Sequence, residues 1–320
     1  MELGLIIGFT AVLIPQLRDD TYMGMDKNAE SWIASIQGFS FMLAAFVSPC
    51  VIDQYGRRKA NFIGAIIVAI GWFFLIVSGN LTMIIIARIL QGLALGISSL
   101  SGAVLVAEYT SPKYRGAFIT LTTITMLSGS LIVHALGYFL LWHQVAIFCL
   151  CVAILDGVLV FLSPESPVFL ATQGRFDECK KVFHWLRDLD EDEELDAMIK
   201  VQILRRAAMN EPQKTILNKF TVKIKSALIT IKKADFYKPL IVMMHFNIIS
   251  VWCGAVMMDA YGFDVFQKLV GGSEDEILQN GKNFSLPAIR FTSTYFLLGV
   301  NLHGDPSVPE ASGYLKTHTY

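Results

Sequence analysis

Three short charged segments stand between long apolar stretches of this 320-residue chain. They are DQYGRRK from Asp53, EYTSPKYRG from Glu108 and PESPVFL from Pro164. Carboxylates and guanidinium groups at helix ends can pair when two helices meet and separate when they part. That chemistry suits an element with two states better than it suits catalysis. We predict one charge network with these members: Asp53, Arg57, Arg58, Glu108, Arg115 and Glu165.

The composition indicates a membrane protein. Hydrophobic residues make up 54% of the chain, charged residues 17%, and the mean hydropathy is +0.52. A soluble domain carries about 25% charged residues. The formal net charge of −1 leaves no basic footprint for nucleic acid. Because backbone polar groups in lipid must be satisfied within each segment, we predict an all-α polytopic membrane protein in contact with the bilayer.

The apolar stretches predict six membrane helices and a seventh. The predicted ranges are Leu3–Leu17, Trp32–Ile52, Asn61–Gly79, Met83–Ala107, Ala117–Leu141, Trp142–Ser163 and Pro239 to about Ala260. Residues 285–300 could form part of an eighth helix, although the segment is short and polar. We therefore divide the chain into a six-helix bundle (1–163), a loop (164–238), the seventh helix of an incomplete second bundle (239–270) and a divergent tail (271–320).

Basic residues in the loops predict the orientation of the bundle. Lys and Arg follow the second, fourth and sixth predicted helices, whereas the loops at 79–82 and 142–144 have none. Since basic loops stay on the cytosolic side, the even-numbered helices should end in the cytosol. The loop at 164–238 is then cytosolic, with amphipathic helices predicted at Phe176–Arg187 and Leu195–Ala208.

No residue spacing indicates catalysis or metal binding. The five cysteines lack ligand spacing, and the acidic and histidine residues match neither a zinc-protease motif nor a nucleophile triad. We expect no enzyme activity, no metal and no cofactor. An Asn-X-Ser sequon at Asn283 leaves glycosylation there open.

Five motifs carry a family resemblance when taken together. They are GFTAVLIPQL from Gly8, Asp53–Arg58 (close to D-R-x-G-R-[RK]), R-x-x-x-G from Arg88, E-x-x-x-x-x-x-R-G from Glu108, and PESP from Pro164. In this order, over about residues 4–270, they resemble the sugar porter branch of the major facilitator superfamily and, within it, the facilitated trehalose transporter-like proteins.

The resemblance implies a fold of two six-helix halves with substrate bound between them near the midplane. It implies facilitative transport of trehalose or a hexose by alternating access in the plasma membrane, without a cofactor. It also implies that the charge network steadies the outward-facing state. The alternative is that these charges only set topology and form ordinary interfacial pairs.

The chain departs from the family pattern in the expected pocket. The frame of seventh-helix amides, which bind sugar hydroxyls in the family, falls on Ser250 to Val256, where only Gly254 is retained. Thr123 stands near the glutamine position of the fifth helix, and Thr10 stands where proton-coupled relatives carry an acid. The candidate pocket residues are Thr10, Arg88, Thr123, Ser250 and Gly254.

The predicted bundle accounts for one half of the family fold. We therefore expect a truncated form of a porter, for which a small sugar is the partner if it is active. The alternative is a non-transporting membrane protein that associates with a full-length sugar porter or regulates it.

Overall fold

The computed structural model describes residues 1–19, 26–187, 191–209 and 234–252, all without a β-strand. Six long helices come first: α1 Glu2–Asp19, α2 Lys27–Tyr55, α3 Arg57–Val77, α4 Leu81–Tyr109, α5 Arg115–Phe139 and α6 Trp142–Leu162. Four further helices follow: α7 Pro167–Gln173, α8 Phe176–Leu186, α9 Asp192–Met209 and α10 Ala234–Trp252.

The six predicted bundle helices are present, each within a few residues of its expected ends. Five of the described helices, α2 to α6, are long and apolar enough to cross a membrane. Helix α1 has 18 residues with charged Glu2, Arg18 and Asp19 at its ends, yet Leu5, Phe9 and other apolar side chains along it are fully buried in the bundle. The all-α fold class is therefore confirmed.

Helix α4 is the centre of the bundle. It packs along α2 on one side and α3 on the other, while α3 also packs on α6 and α1 packs on α5. The rings of Phe9 and Trp72 meet edge to face, with centroids 5.0 Å apart, in the core between α1 and α3. Alternating chain direction puts the ends of α2, α4 and α6 and the starts of α3, α5 and α7 at one end of the bundle, which we call the charged end.

Glycines let α4 approach α2 closely. A Cβ atom at Gly92 would lie 2.4 Å from the carbonyl oxygen of Gln37, and one at Gly96 would lie 2.5 Å from Cβ of Ala44. Small residues at such positions allow backbones to meet in lipid, where no hydrophobic effect drives helices together. The G-x-x-x-G pair thus serves helix packing.

Helices α7 to α9 form a small unit at the charged end, which we call the α7–α9 unit. Pro167 opens α7 at a position where no amide is needed, and Gly174 closes it with φ +76°. Cys179 and Phe183 of α8 pack with Leu170 and Leu195. Burial raises the pKa of the Cys179 thiol, in keeping with a packing role.

Two details of this region differ from the sequence prediction. The stretch Pro167–Gln173 was expected as loop and is helical. The pattern of Leu195–Ala208 predicts one apolar stripe of Leu195, Met198, Val201 and Ile203 or Leu204. Leu195 and Met198 pack inward, but Val201 and Leu204 are exposed, because α7 and α8 cover only the first turns of α9. The described part of α10 lies within 234–252, and residues 253–320, including Gly254 and the expected eighth helix, lie outside the described residues.

Candidate gate at the charged end

Gly56 makes the turn that joins α2 to α3. Its φ of +94° is a conformation that residues with a side chain rarely adopt. A Cβ atom there would also lie 2.7 Å from Oε2 of Glu165 and 2.8 Å from Cε1 of Phe169. The glycine therefore permits both the one-residue turn and the approach of the segment that leads into α7.

Glu165 closes the N-terminus of α3. Its Oε1 accepts hydrogen bonds from the backbone amides of Arg57 and Arg58, both at 3.0 Å, and from the amide of Ser166 at 3.1 Å. The first amides of a helix have no partner within the helix and carry a partial positive charge, so a carboxylate there is stabilised. This contact joins the α6–α7 connection to α3.

Arg57 and Glu108 form the central ion pair. Nη2 of Arg57 lies 2.8 Å from Oε1 of Glu108, and Nε lies 3.0 Å from Oε2. Each side chain is only 13% exposed, and the Ser166 hydroxyl also donates to Glu108. Such a two-point pair is stronger and more specific than an exposed one. We call Arg57, Glu108, Glu165 and Ser166 the gate cluster, which ties α3, α4 and α7 together.

Arg187, which the sequence analysis did not select, holds the C-terminus of α4. Its guanidinium donates to the carbonyl oxygens of Glu108 (3.2 Å), Tyr109 (3.4 Å) and Thr110 (2.8 Å). Ion pairs with Glu191 at 3.2 Å and Glu194 at 3.0 Å balance its charge. The last carbonyls of a helix lack partners within it, so one arginine satisfies three of them here. The only sequence signal for this role was the position of Arg187 at the end of the predicted amphipathic helix Phe176–Arg187.

The other predicted network members lie outside the gate cluster. Nη2 of Arg58 donates to the carbonyl oxygen of Phe161, and Nη2 of Arg115 donates to that of Ala107 at 2.8 Å. Asp53 is exposed at the end of α2 and makes no ion pair within the described part of the chain. The structure thus brings together Arg57, Glu108 and Glu165, and leaves Asp53 and Arg115 without a carboxylate or guanidinium partner there.

Arg88 lies deep in the bundle. It is fully buried, donates from Nη1 to Oε1 of Gln37 at 3.0 Å and to Oε1 of Gln91 at 3.1 Å, and its Cζ lies 5.2 Å from the ring centroid of Phe9. Its Nε and Nη2 have no hydrogen-bond partner in the described residues. Two glutamines therefore hold this cation in place of a carboxylate, and neither was anticipated.

The remaining pocket candidates do not meet at one place in the described residues. Thr10 of α1 is buried in the bundle. The exposed Thr123 of α5 donates to the carbonyl oxygen of Ile119 at 3.1 Å, within its own helix. Ser250 falls on α10, and only its backbone is described. The described His, Cys, Asp and Glu residues include no group that could hold a metal ion.

A bundle with five helices long and apolar enough to cross a membrane is that of a multi-pass membrane protein. The family described as "Sugar (and other) transporter" matches residues 4–294. The chain belongs to this family, which confirms the resemblance to the sugar porters of the major facilitator superfamily.

Individual relatives agree with the family. The chain is 27% identical over 299 residues to the facilitated trehalose transporter Tret1 of Apis mellifera ligustica, covering 92% of this chain and 56% of that protein. It is 30% identical over 189 residues to the galactose-proton symporter of Escherichia coli strain K12, covering 58% of this chain and 40% of that one.

A solved structure shares the fold. The proton:xylose symporter XylE bound to 6-bromo-6-deoxy-D-glucose matches with a TM-score of 0.62 at 16% identity, over 92% of this chain and 66% of that chain. The chain spans only about half the length of the trehalose transporter from Apis mellifera ligustica, 56% of it.

Proposed function

We propose that this chain takes part in facilitative transport of trehalose or a hexose by alternating access, as the first half of a sugar porter in the plasma membrane. The observation that carries the proposal is the largely buried Arg57–Glu108 pair, which ties α3 to α4 at the charged end, and Glu108 also accepts a hydrogen bond from Ser166, next to α7. By the positive-inside rule, this end faces the cytosol.

The contacts suggest different roles for the gate cluster and for the two predicted network members without an ion-pair partner, Asp53 and Arg115. The gate cluster is internal to this half, and breaking a two-point, largely buried pair in every cycle would cost several kcal/mol. The gate cluster therefore stays formed throughout the cycle and holds this end of the first half rigid. Asp53 and Arg115 have unused charge at the same end and would pair with the second half when the inner face closes. A transporter needs such a reversible contact, whose balance a substrate can bias.

The proposed substrate class rests on the relatives, and the proposed mode of transport rests on Thr10. The relatives above are named for trehalose and galactose transport. Thr10 has a hydroxyl that does not titrate in the physiological range, so proton coupling through that position is not expected. We therefore favour downhill movement of sugar over symport.

Uptake of radiolabelled trehalose and glucose into proteoliposomes tests the proposal. The purified chain is compared with Asp53→Asn, which removes the available charge, and with Arg175→Gln, which removes an exposed cation at the N-cap of α8 that is paired with Glu178. Saturable uptake that falls with Asp53→Asn and persists with Arg175→Gln would support both transport and the proposed pairing of Asp53 when the inner face closes. Uptake equal to that of empty vesicles would refute transport by this chain.

Association with a second helical unit is the other candidate. Phe39, Met42 and Phe46 form an exposed apolar stripe along α2, with Phe46 77% exposed. Such a stripe could pack against a separate full-length porter, which this chain would then regulate. Co-purification with a full-length porter should fall when Phe39 and Phe46 become Ala, and persist for Phe73→Ala on α3, which is also exposed. Equal capture of both variants would contradict this candidate.

A further inference from the structure

A wholly apolar groove runs along the outside of the bundle between α3 and α6. It has a cavity volume of about 350 Å³, and its lining includes Phe62, Ala65, Ile66, Ala69, Gly157 and Phe161. Ile66 on α3 and Val158 on α6 are about half exposed along it. We call it the α3–α6 groove. Its position between two membrane-crossing helices makes it accessible to lipid chains.

Two cations continue the same helix stripe at the charged end. On α3, residues three and four apart share a face, so Arg58 and Lys59 stand on the face of Phe62. Cζ of Arg58 lies 5.4 Å from the ring centroid of Phe161, and the rings of Phe62 and Phe161 are 5.7 Å apart. The cations and the apolar groove are therefore one continuous surface.

The guanidinium of Arg58 has capacity for a ligand. Nη2 donates to the Phe161 carbonyl, while Nε and Nη1 have no hydrogen-bond partner among the described residues, and Lys59 is exposed. The Glu165 carboxylate accepts from the backbone amides of Arg57, Arg58 and Ser166, and not from the Arg58 guanidinium in the described contacts. A phosphate would thus meet two cations, Arg58 and Lys59, beside a helix start whose first amides are already bound by Glu165.

We propose that the α3–α6 groove binds an anionic phospholipid of the leaflet at the charged end, with its phosphate on Arg58 and Lys59 and an acyl chain in the groove. Charge complementarity selects this occupant over a neutral lipid, since basic residues at the cytosolic interface attract anionic headgroups. The apolar lining selects a chain-bearing lipid over a free anion. The assignment does not depend on transport of sugar.

Native mass spectrometry of the purified chain in detergent tests the lipid site. The probes are dioleoyl phosphatidylglycerol and dioleoyl phosphatidylcholine, which share acyl chains and differ in charge. We expect several-fold greater retention of phosphatidylglycerol. Arg58→Gln with Lys59→Gln should abolish this preference, whereas Arg58→Lys should keep most of it. Arg175→Gln, which removes a cation outside the groove, should change nothing.

Two further arms examine the groove itself. Gly157→Phe places a ring in the groove, where a Cβ would meet Cβ of Ala65 at 3.6 Å, and should lower retention of both lipids. Dihexanoyl phosphatidylglycerol and inorganic phosphate should compete poorly with the dioleoyl lipid. Equal retention of the two dioleoyl lipids by the unmodified chain, or unchanged preference in the Arg58 and Lys59 double variant, would overturn the cation assignment. Equal competition by inorganic phosphate would overturn the groove assignment.

Discussion

The guanidinium of Arg187 donates a 3.2 Å hydrogen bond to the main-chain oxygen of Glu108, whose carboxylate is paired with Arg57. One residue of the α7–α9 unit thus holds the backbone of the helix that supplies the central carboxylate. Arg187 touches neither Arg57 nor the lipid-facing surface in the described contacts, so its role is to position Glu108.

Replacing Arg187 should release the end of α4. Arg187→Gln leaves three carbonyls without their donor and frees Glu191 and Glu194, so we expect a loss of about 2 kcal/mol in the free energy of unfolding. Arg187→Lys should recover part of the loss, since an ammonium can reach fewer carbonyls. Thermal unfolding and hydrogen exchange of residues 106–112 measure both. The matched control is Arg175→Gln, which should have little effect; equal losses from the two would contradict the capping role.

The Arg57–Glu108 pair should show strong coupling in a double-mutant cycle. Arg57→Gln and Glu108→Gln each leave a largely buried charge without its partner, whereas the double variant leaves neither. We expect a coupling energy of about 1–3 kcal/mol from denaturant unfolding in mixed micelles. Because the pair is largely shielded from solvent, added salt should weaken it little. Additive effects of the two substitutions would mean that the pair is not formed.

Gly56→Ala should strain the turn between α2 and α3. The positive φ costs about 1–3 kcal/mol for a residue with a side chain, and the new methyl group would meet the Glu165 carboxylate. We expect a lower thermal midpoint and weaker protection of the first amides of α3. Gly79→Ala provides the comparison, because nothing lies within 4 Å of a Cβ atom at that turn. A midpoint unchanged by Gly56→Ala would rule out the strained turn.

Arg88 and Arg57 should respond in opposite ways to replacement by methionine. Arg88 is buried against Gln37 and Gln91, with no carboxylate partner in the described residues, so removal of its desolvated charge should leave stability unchanged or raise it. Arg57→Met instead leaves the Glu108 carboxylate unpaired and should lower the thermal midpoint clearly. If Arg88→Met destabilises as much as Arg57→Met, the described surroundings of Arg88 do not account for its charge.

The bundle could be predicted from local chemistry. Apolar runs of about 20 residues require helices in lipid, and turn residues such as Gly56 end them, so the helix limits in α2 to α6 differ from expectation by only a few residues. The charged segments also indicated correctly at which end of the bundle the ion pairs lie. Glu165 and Glu108 were selected because their positions at helix ends are visible in the sequence itself.

Which charges meet was decided by packing. Arg57 and Arg58 are adjacent in the sequence and carry the same charge, yet Arg57 pairs with Glu108 and Arg58 donates to the carbonyl oxygen of Phe161, while Asp53 stays exposed. Arg187 is 79 residues from Glu108 along the chain, and Gln37 is 51 residues from Arg88. Charge, hydrophobicity and periodicity are local properties of the chain, whereas partners depend on how helices rotate about their axes to bury small residues such as Gly92 and Gly96, and only the folded bundle fixes that rotation.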